Sequence, residues 1–406
     1  MKYIVVLADG MADEPLEQLE GKTPLEYAHT PAMDMLASMG VMGMVRMVPV
    51  GMKPGSDVAN LSVLGYNPIE NYSGRSPLEA LSIGVPMEND DVIFRCNLVT
   101  LSENGEFEDK TIIDHSSDEI STDDACVLMD VVREHFSSEE YSFYTGTSYR
   151  HILVWKKGEI LDLEPPHDHL GERIGKHLPK NLRFLDFMKR SFTLLNEHPL
   201  NLNRAAKGLK KANCLWFWGA GTKPSLQDFT GKTGLSGAMI SAVDLLKGIA
   251  VGAGMDVIKV PGATGSLHTN YLGKAQAAMD ALLKDGHDFV YVHIEAPDEM
   301  GHQGSVENKI KSIELIDSQI VEPIIQNLGK TGEPFKMLVL PDHPTPIRLR
   351  THTGDPVPFV IYDSRYQRRR ISRFSEWEAK NTGLFVADGY TLIEKLIGGQ
   401  NNGESI

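Results

Sequence analysis

Four short apolar runs, Tyr3–Leu7, Phe289–Ile294, Met337–Leu340 and Phe359–Tyr362, each break off at polar residues. Continuous rather than alternating hydrophobicity predicts strands buried on both faces, as in a parallel sheet covered by helices. The covering helices are legible too. Thr30-Pro31 caps one that ends at Gly40, and Ile310, Ile313, Ile316, Ile320, Ile324 and Leu328 recur at helical spacing between Ser305 and Gly329. The pattern predicts a doubly wound α/β domain. In such open sheets ligands collect beyond the carboxyl ends of the strands, where Asp9, Asp298, Asp342 and His343 fall.

The middle of the chain has a different rhythm. Asp91–Leu101, Ser142–Trp155 and Leu215–Trp218 are shorter strand-like pieces separated by polar loops. A length of 406 residues suggests two or three units. The expected division is a core domain of residues 1–87 and 226–406 with a smaller α/β (α+β) domain inserted at 88–225.

Charge narrows the partners. Forty Lys+Arg against 55 Asp+Glu give a net −15, which repels a nucleic-acid backbone or an anionic membrane but permits a small anionic substrate held by local cations or metals. The Arg365–Arg373 run, with Arg368-Arg369-Arg370 inside it, is therefore expected to be a solvated loop or subunit contact. Three cysteines, Cys96, Cys126 and Cys214, with no CxxC pair, point to free thiols in a reducing compartment. The apolar opening is shorter than a signal-peptide core, and no run reaches the ~18 residues of a membrane span. A soluble cytoplasmic protein, compatible with a homo-oligomer, is expected. Gly398–Gly403 is expected to fray.

Asp298-Glu299-Met300-Gly301-His302, Asp342-His343 and His352 combine carboxylate oxygen with imidazole nitrogen, a donor set suited to zinc, manganese and similar divalent ions. Gly55-Ser56-Asp57-Val58-Ala59-Asn60 places a hydroxyl in a turn before an apolar helix. That serine is open to two readings, a helix cap or a nucleophile activated by a metal.

Ala8-Asp9-Gly10-Met11-Ala12-Asp13, Pro54–Asn60, Glu295–His302, Pro341-Asp342-His343 and Thr351-His352-Thr353 occur in one order along the chain. Together they resemble the signature of the cofactor-independent phosphoglycerate mutases of the alkaline phosphatase superfamily, in their compact archaeal-type branch. The resemblance implies that Asp9, Ser56, Asp342 and His343 hold one divalent ion and Asp298, His302 and His352 a second, manganese or zinc, with magnesium or cobalt as alternatives. It implies phosphoserine formation at Ser56 and interconversion of 3- and 2-phosphoglycerate without bisphosphoglycerate. Arg150, Lys247 and His115 resemble substrate contacts, with Arg75 a weaker candidate, and Pro166-His167-Asp168 also looks like a family motif.

Two alternatives stand beside this expectation. The run Leu338–Pro346 also resembles a bacterial subgroup proposed as homoserine kinases, although Gly262-Ala263-Thr264-Gly265-Ser266, read as a turn after strand Val257–Val260, lacks the Gly-Lys-Ser/Thr ending of a triphosphate cradle. A non-catalytic metal-binding regulator is the other, since a fold does not dictate its chemistry.

Overall fold

The computed structural model describes residues 1–366 and 372–398, so Arg368-Arg369-Arg370 and the tail from Gly399 lie outside the described residues. In chain order the strands are β1 (Lys2–Ala8), β2 (Val41–Val45), β3 (Val92–Leu101), β4 (Ile112–Asp114), β5 (Tyr141–Tyr144), β6 (Arg150–Trp155) and β7 (Cys214–Thr222). They continue with β8 (Gly237–Ile240), β9 (Asp256–Val257), β10 (Phe289–Ile294), β11 (Phe335–Leu340), β12 (Val357–Asp363) and β13 (Phe385–Val386). Two compact units result, residues 1–72 with 225–406, and residues 73–224.

In the first unit eight strands run in the order β13-β2-β12-β11-β1-β10-β8-β9. The centre is parallel: β1 pairs with β10 through Ala8↔Ile294 and with β11 through Leu7↔Leu340, so three strands end level with one another. Ile4 to Ala8 are fully buried, as the unbroken apolar run requires. Ile4, Val6 and Ala8 join Val290, Val292, Ile313, Ile316 and Ile320 in one core. The Phe359–Tyr362 run departs from the parallel expectation. It lies in β12, which is antiparallel to both β11 and β2.

The isoleucine stripe forms Val306–Ile316 and Glu322–Thr331, joined through a π-helical turn at Asp317–Val321. Ser305 caps the first piece by accepting the Asn308 amide at 3.4 Å. Thr30 does occupy the N-cap position of Pro31–Met39, but its hydroxyl makes no cap bond. The Asp317 carboxylate takes over that task, accepting the amides of Ala32 at 3.2 Å and Met33 at 2.7 Å. Of the expected 257–260 strand only Val257 falls in a ladder, in the two-residue β9 (Asp256–Val257) at the edge against β8.

The second unit is built on the long, wholly buried β3, antiparallel to β6 on one side and β7 on the other, with β5 outside β6 and β4 at its carboxyl end. Ser142–Trp155 is thus a hairpin of two strands. The unit begins earlier than the sequence-based boundary at 88 because Ala80, Val85 and Met87 pack with Ile93, Ile152 and Val154.

Candidate active site and metal centre

The three level strand ends deliver Asp9 after β1, Asp298 after β10 and Asp342-His343 after β11. Gly10 makes their close approach possible. Its φ is +61°, and a Cβ there would stand 2.6 Å from the Asp298 Cα and 2.6 Å from the Thr345 Oγ1. Met11 and Ala12 then bridge to Pro344, tying the loop after β1 to the loop after β11.

Ser56 is the first residue of helix Ser56–Val63, with Gly55 at the N-cap. Its hydroxyl points away from the capping role, standing 3.1 Å from His343 Nε2 and 3.4 Å from Asp9 Oδ2. One turn on, Asn60 donates from Nδ2 to the Ser56 carbonyl at 2.8 Å and to Asp342 Oδ2 at 2.9 Å, and its own carbonyl accepts the Tyr291 hydroxyl. This helix is therefore locked to the middle of β10 and to the end of β11.

Two groups of ligand atoms converge, Asp9 with Asp342 and His343, and Asp298 with His343 and His352, each within 4.8 Å. His302 belongs beside the second. Its Nε2 lies 3.3 Å from Asp298 Oδ2 and 2.9 Å from His352 Nε2, while its Nδ1 faces the Arg350 carbonyl at 2.9 Å. Thr345 donates to Asp298, and its Oγ1 lies 3.3 Å from His343 Nδ1. All seven proposed ligands sit in this one place. Lys247 instead pairs with Asp244 on its own helix at 3.0 Å rather than with any of the seven.

The electrostatics of the cluster call for cations. Burial, followed by repulsion from Asp342 and Asp298, holds the Asp9 carboxyl well above the usual carboxylate range. Asp298 is held well below that range because His302 and His352 outweigh the cost of its burial. The Asp298 contact lifts His302 to about 9, and burial depresses His343. Asp9 Oδ1 is buried with no hydrogen-bond partner. A buried carboxylate oxygen left unpaired among two more carboxylates and three imidazoles fits a divalent ion, because the ion satisfies the oxygen and neutralises the repulsion together.

His293 escaped the sequence reading. It sits inside the β10 run that passes for uniformly apolar, and its imidazole is fully buried. Its Nε2 lies 2.8 Å from Asp9 Oδ2, and Ser241 Oγ lies 3.2 Å from Nδ1. Burial and nearby Lys274 push it down to about 3, so the neutral ring donates from Nε2 to Asp9 and accepts the Ser241 hydroxyl at Nδ1. A histidine one residue before the end of a central strand was the available signal.

The turn at Gly262–Ser266 is irregular chain after β9, and a Cβ on Gly265 would run into the Glu295 carboxylate. An acid so close opposes a triphosphate there.

In the second unit His115 meets Tyr149 and His167 edge to face, at 5.7 Å and 6.0 Å between ring centroids, and His167 meets Trp218 at 5.3 Å. His115 Nδ1 is buried without a partner. It is followed by three left-handed residues, Ser117, Asp118 and Glu119, at φ 54°, 58° and 49°. Each such residue costs roughly 1–2 kcal/mol, and the fold over-determines them. The Asp114 carboxylate accepts the Ser116 and Asp118 amides at 2.7 Å and 3.2 Å, Lys210 bridges Asp114 and Asp118, and Arg204 donates to the Ser117 carbonyl at 2.7 Å. The strained stretch is thus held in place two residues after an unpartnered ring. Arg150, exposed at the start of β6, lies over the Tyr149 ring at 5.8 Å. Arg95, absent from the sequence reading, is buried against Glu79 and 5.3 Å from the Trp218 ring, whereas Arg75 pairs with Glu79 at 2.9 Å.

No described helix is long and apolar enough to cross a membrane. Residues 37–201 match the family described as 2,3-bisphosphoglycerate-independent phosphoglycerate mutase. A protein of Methanosarcina barkeri bearing that name is 48% identical over 403 residues, spanning 98% of this chain and 99% of its own. A Geobacter sulfurreducens protein named as a probable enzyme of the same kind is 47% identical over 404 residues, spanning 98% of this chain and 100% of its own. Among solved structures, the PH0037 protein of Pyrococcus horikoshii superposes with a TM-score of 0.80 at 30% identity, covering 99% of both chains. The cofactor-independent phosphoglycerate mutase of Thermoplasma acidophilum does so at 0.66 and 28%, covering 98% of this chain and 99% of its own. With relatives this similar over nearly its whole length, the chain belongs to the 2,3-bisphosphoglycerate-independent phosphoglycerate mutase family.

Proposed function

We propose that this protein interconverts 3-phosphoglycerate and 2-phosphoglycerate through phosphorylation of Ser56, with no bisphosphoglycerate required. The observation that carries the reading is the Ser56 hydroxyl, free of a capping bond at a helix N-terminus and held 3.1 Å from His343 Nε2 and 3.4 Å from Asp9 Oδ2.

Asp9, Asp342, His343 and Ser56 would hold one divalent ion and Asp298, His302 and His352 a second, manganese or zinc; such ions lower the pKa of a bound hydroxyl and neutralise phosphoryl charge. The chain's own groups do the rest. Asp9 and His343 aim the Ser56 oxygen, and the amides opening its helix favour a phosphate beside it. Ser56 Oγ attacks phosphorus and loses its proton, the bond from phosphorus to the glycerate oxygen breaks, and that oxygen gains a proton. Glycerate reorients, its other hydroxyl attacks the phosphoserine and gives up a proton, and the Ser56 hydroxyl is restored. One glycerate is both leaving group and acceptor, so no second phosphate donor enters. His115, with His167 beside it, is the proposed proton-exchanging group for the glycerate hydroxyls, and Arg150 and Lys247 are the proposed anion contacts. Unpaired cysteines and this substrate class favour a cytoplasmic setting.

Purified protein with manganese is expected to convert 3-phosphoglycerate in an enolase-coupled assay without added bisphosphoglycerate, and Ser56→Ala is expected to abolish both turnover and labelled phosphoenzyme. Absence of turnover across several divalent metals, or label recovered on a residue other than Ser56, overturns the assignment.

A further inference from the structure

The second unit holds another cluster of metal-type donors, unrelated to the seven ligands above. It lies on the irregular segment from Glu164 to His177, which contains only two short helical turns, Pro166–His169 and Ile174–His177. The His169 and His177 rings stack with centroids 3.8 Å apart and 25° between planes. A carboxylate closes each edge of the pair. Glu164 Oε2 lies 3.1 Å from His169 Nε2 and in close contact with His177 Nδ1. Glu172 Oε2 lies 3.0 Å from His177 Nε2 and 3.9 Å from His169 Nδ1.

The backbone beneath these groups is firmly held. Trp216 Nε1 donates to the Glu164 carbonyl at 2.9 Å, the Ile112 amide donates to the Glu172 carbonyl at 3.1 Å, the Ile174 amide donates to the Lys110 carbonyl at 2.9 Å, and the Ile174 side chain is fully buried. The imidazoles are largely sheltered, at 17% and 7% side-chain exposure, while the carboxylates reach toward solvent. The donors are thus presented from fixed anchors on a segment with no strand or long helix of its own.

We propose that Glu164, His169 and His177 bind one zinc-class transition-metal ion that staples this segment of the second unit, with Glu172 holding the far edge of the His177 ring. The donor atoms of the first three already lie within 4.8 Å of one another. Two imidazole nitrogens and one carboxylate oxygen, with water as the fourth ligand, match four-coordinate zinc, with bonds of about 2.0–2.2 Å. Calcium and magnesium are disfavoured, because they demand six or more oxygen ligands or an octahedral shell of water. The ion enters where Glu164 Oε2 meets His169 Nε2 and His177 Nδ1, while Glu172 stays with Lys176 at 2.8 Å and with His177 Nε2 at 3.0 Å. Parallel rings direct their lone pairs side by side, so coordination must splay the stack. The first helical turn of the segment also carries His167, so the ion would fix the stretch of chain that sets His167 against His115 and Trp218.

The test uses the full-length protein, first saturated with manganese and then titrated with zinc, with bound zinc counted by mass spectrometry after gel filtration. Wild type is expected to retain one zinc per chain more than His169→Ala/His177→Ala, with affinity at this site reduced at least 100-fold in the variant. Zinc is also expected to shift the ring resonances of His169 and His177 in wild type as the stack opens. Should the histidine variant fail to fold, Glu164→Gln carries the same comparison. Equal zinc counts in wild type and variants, or ring resonances of this pair that ignore zinc, overturn the proposal whatever the protein's catalytic activity proves to be.

Discussion

His293 Nε2 stands 2.8 Å from Asp9 Oδ2, and the other oxygen of that carboxylate has no hydrogen-bond partner. One oxygen of Asp9 is thus oriented from within the sheet and the other is left for a ligand. Removing the imidazole leaves that oxygen only the long Ser56 contact at 3.4 Å and frees the carboxylate to rotate. His293→Ala is expected to weaken manganese binding about 10–100-fold, the usual effect of losing a group that orients a metal ligand. His293→Gln, which keeps a side-chain donor, is expected to recover part of the loss. Titration of manganese into metal-stripped protein measures both, with metal-free melting temperatures as the control for folding. Equal affinities in all three proteins would refute the positioning role.

Gly10 makes a sharper case. A methyl at this position meets Asp298 Cα, Asp298 Oδ1 and Thr345 Oγ1, all at 2.6 Å, and the residue's φ of +61° strains any side chain. Backbone cannot give way as a flexible side chain can, so Gly10→Ala should push the end of β1 from Asp298 and separate Asp9 from it. More than a 100-fold fall in mutase kcat/KM is expected, with destabilisation on the order of 1–3 kcal/mol, read by denaturant titration. Near-normal turnover would mean that the spacing of these two acids is unimportant.

The central strands and the acids at their ends were legible from local pattern, whereas the full set of seven came from the resemblance to a family. Unbroken apolar runs mark strands covered on both faces, and the polar residue after such a run must emerge at the sheet's carboxyl edge. What the pattern hides is the support beneath. His293 is a buried polar group inside an apolar run and Lys309 one charge among several on its helix, and their partners Asp9 and Asp13 are hundreds of residues away in sequence. Thr30 has the composition of a cap, yet the cap is Asp317, supplied by tertiary contact. The antiparallel placement of β12 is equally invisible, since strand direction depends on the path of the connection and not on the strand's own residues.

Lys309 is completely buried, and its Nζ lies 2.7 Å from Asp13 Oδ2 and 2.9 Å from the Thr345 carbonyl. Asp13 also accepts the amides of Glu14 and Ile347. The pair therefore clamps the loop after Asp9 to the loop after Asp342 and His343. Lys309→Met leaves a buried carboxylate without its counter-charge, a loss expected to cost about 3–5 kcal/mol. Adding Asp13→Asn removes the orphan charge while keeping an acceptor for an amide, and is expected to restore more than half of that stability. Urea unfolding of the two single variants and the double variant decides it. Additive losses would show that the two side chains act independently.

Asp317 caps a helix from inside a π-helical turn, and burial raises its carboxyl to about 6 from the ordinary 3.8. The raised value fixes the sign of its pH dependence. Between about 4 and 6 the folded chain keeps a proton that the unfolded chain has released, so stability falls as pH rises through this window and is level above it. At 1.36 kcal/mol per unit, about two units correspond to roughly 3 kcal/mol at most. Asp317→Asn cannot ionise and retains one oxygen for the amides of Ala32 and Met33. It is expected to lie below wild type at pH 4, where the protonated acid serves both amides, and to gain on it by on the order of 2–3 kcal/mol by pH 7. Urea midpoints for both proteins at pH 4, 5, 6 and 7 give the difference directly. A constant gap across the series would place the ionisation of Asp317 at its unfolded value and remove burial as the dominant influence on this cap.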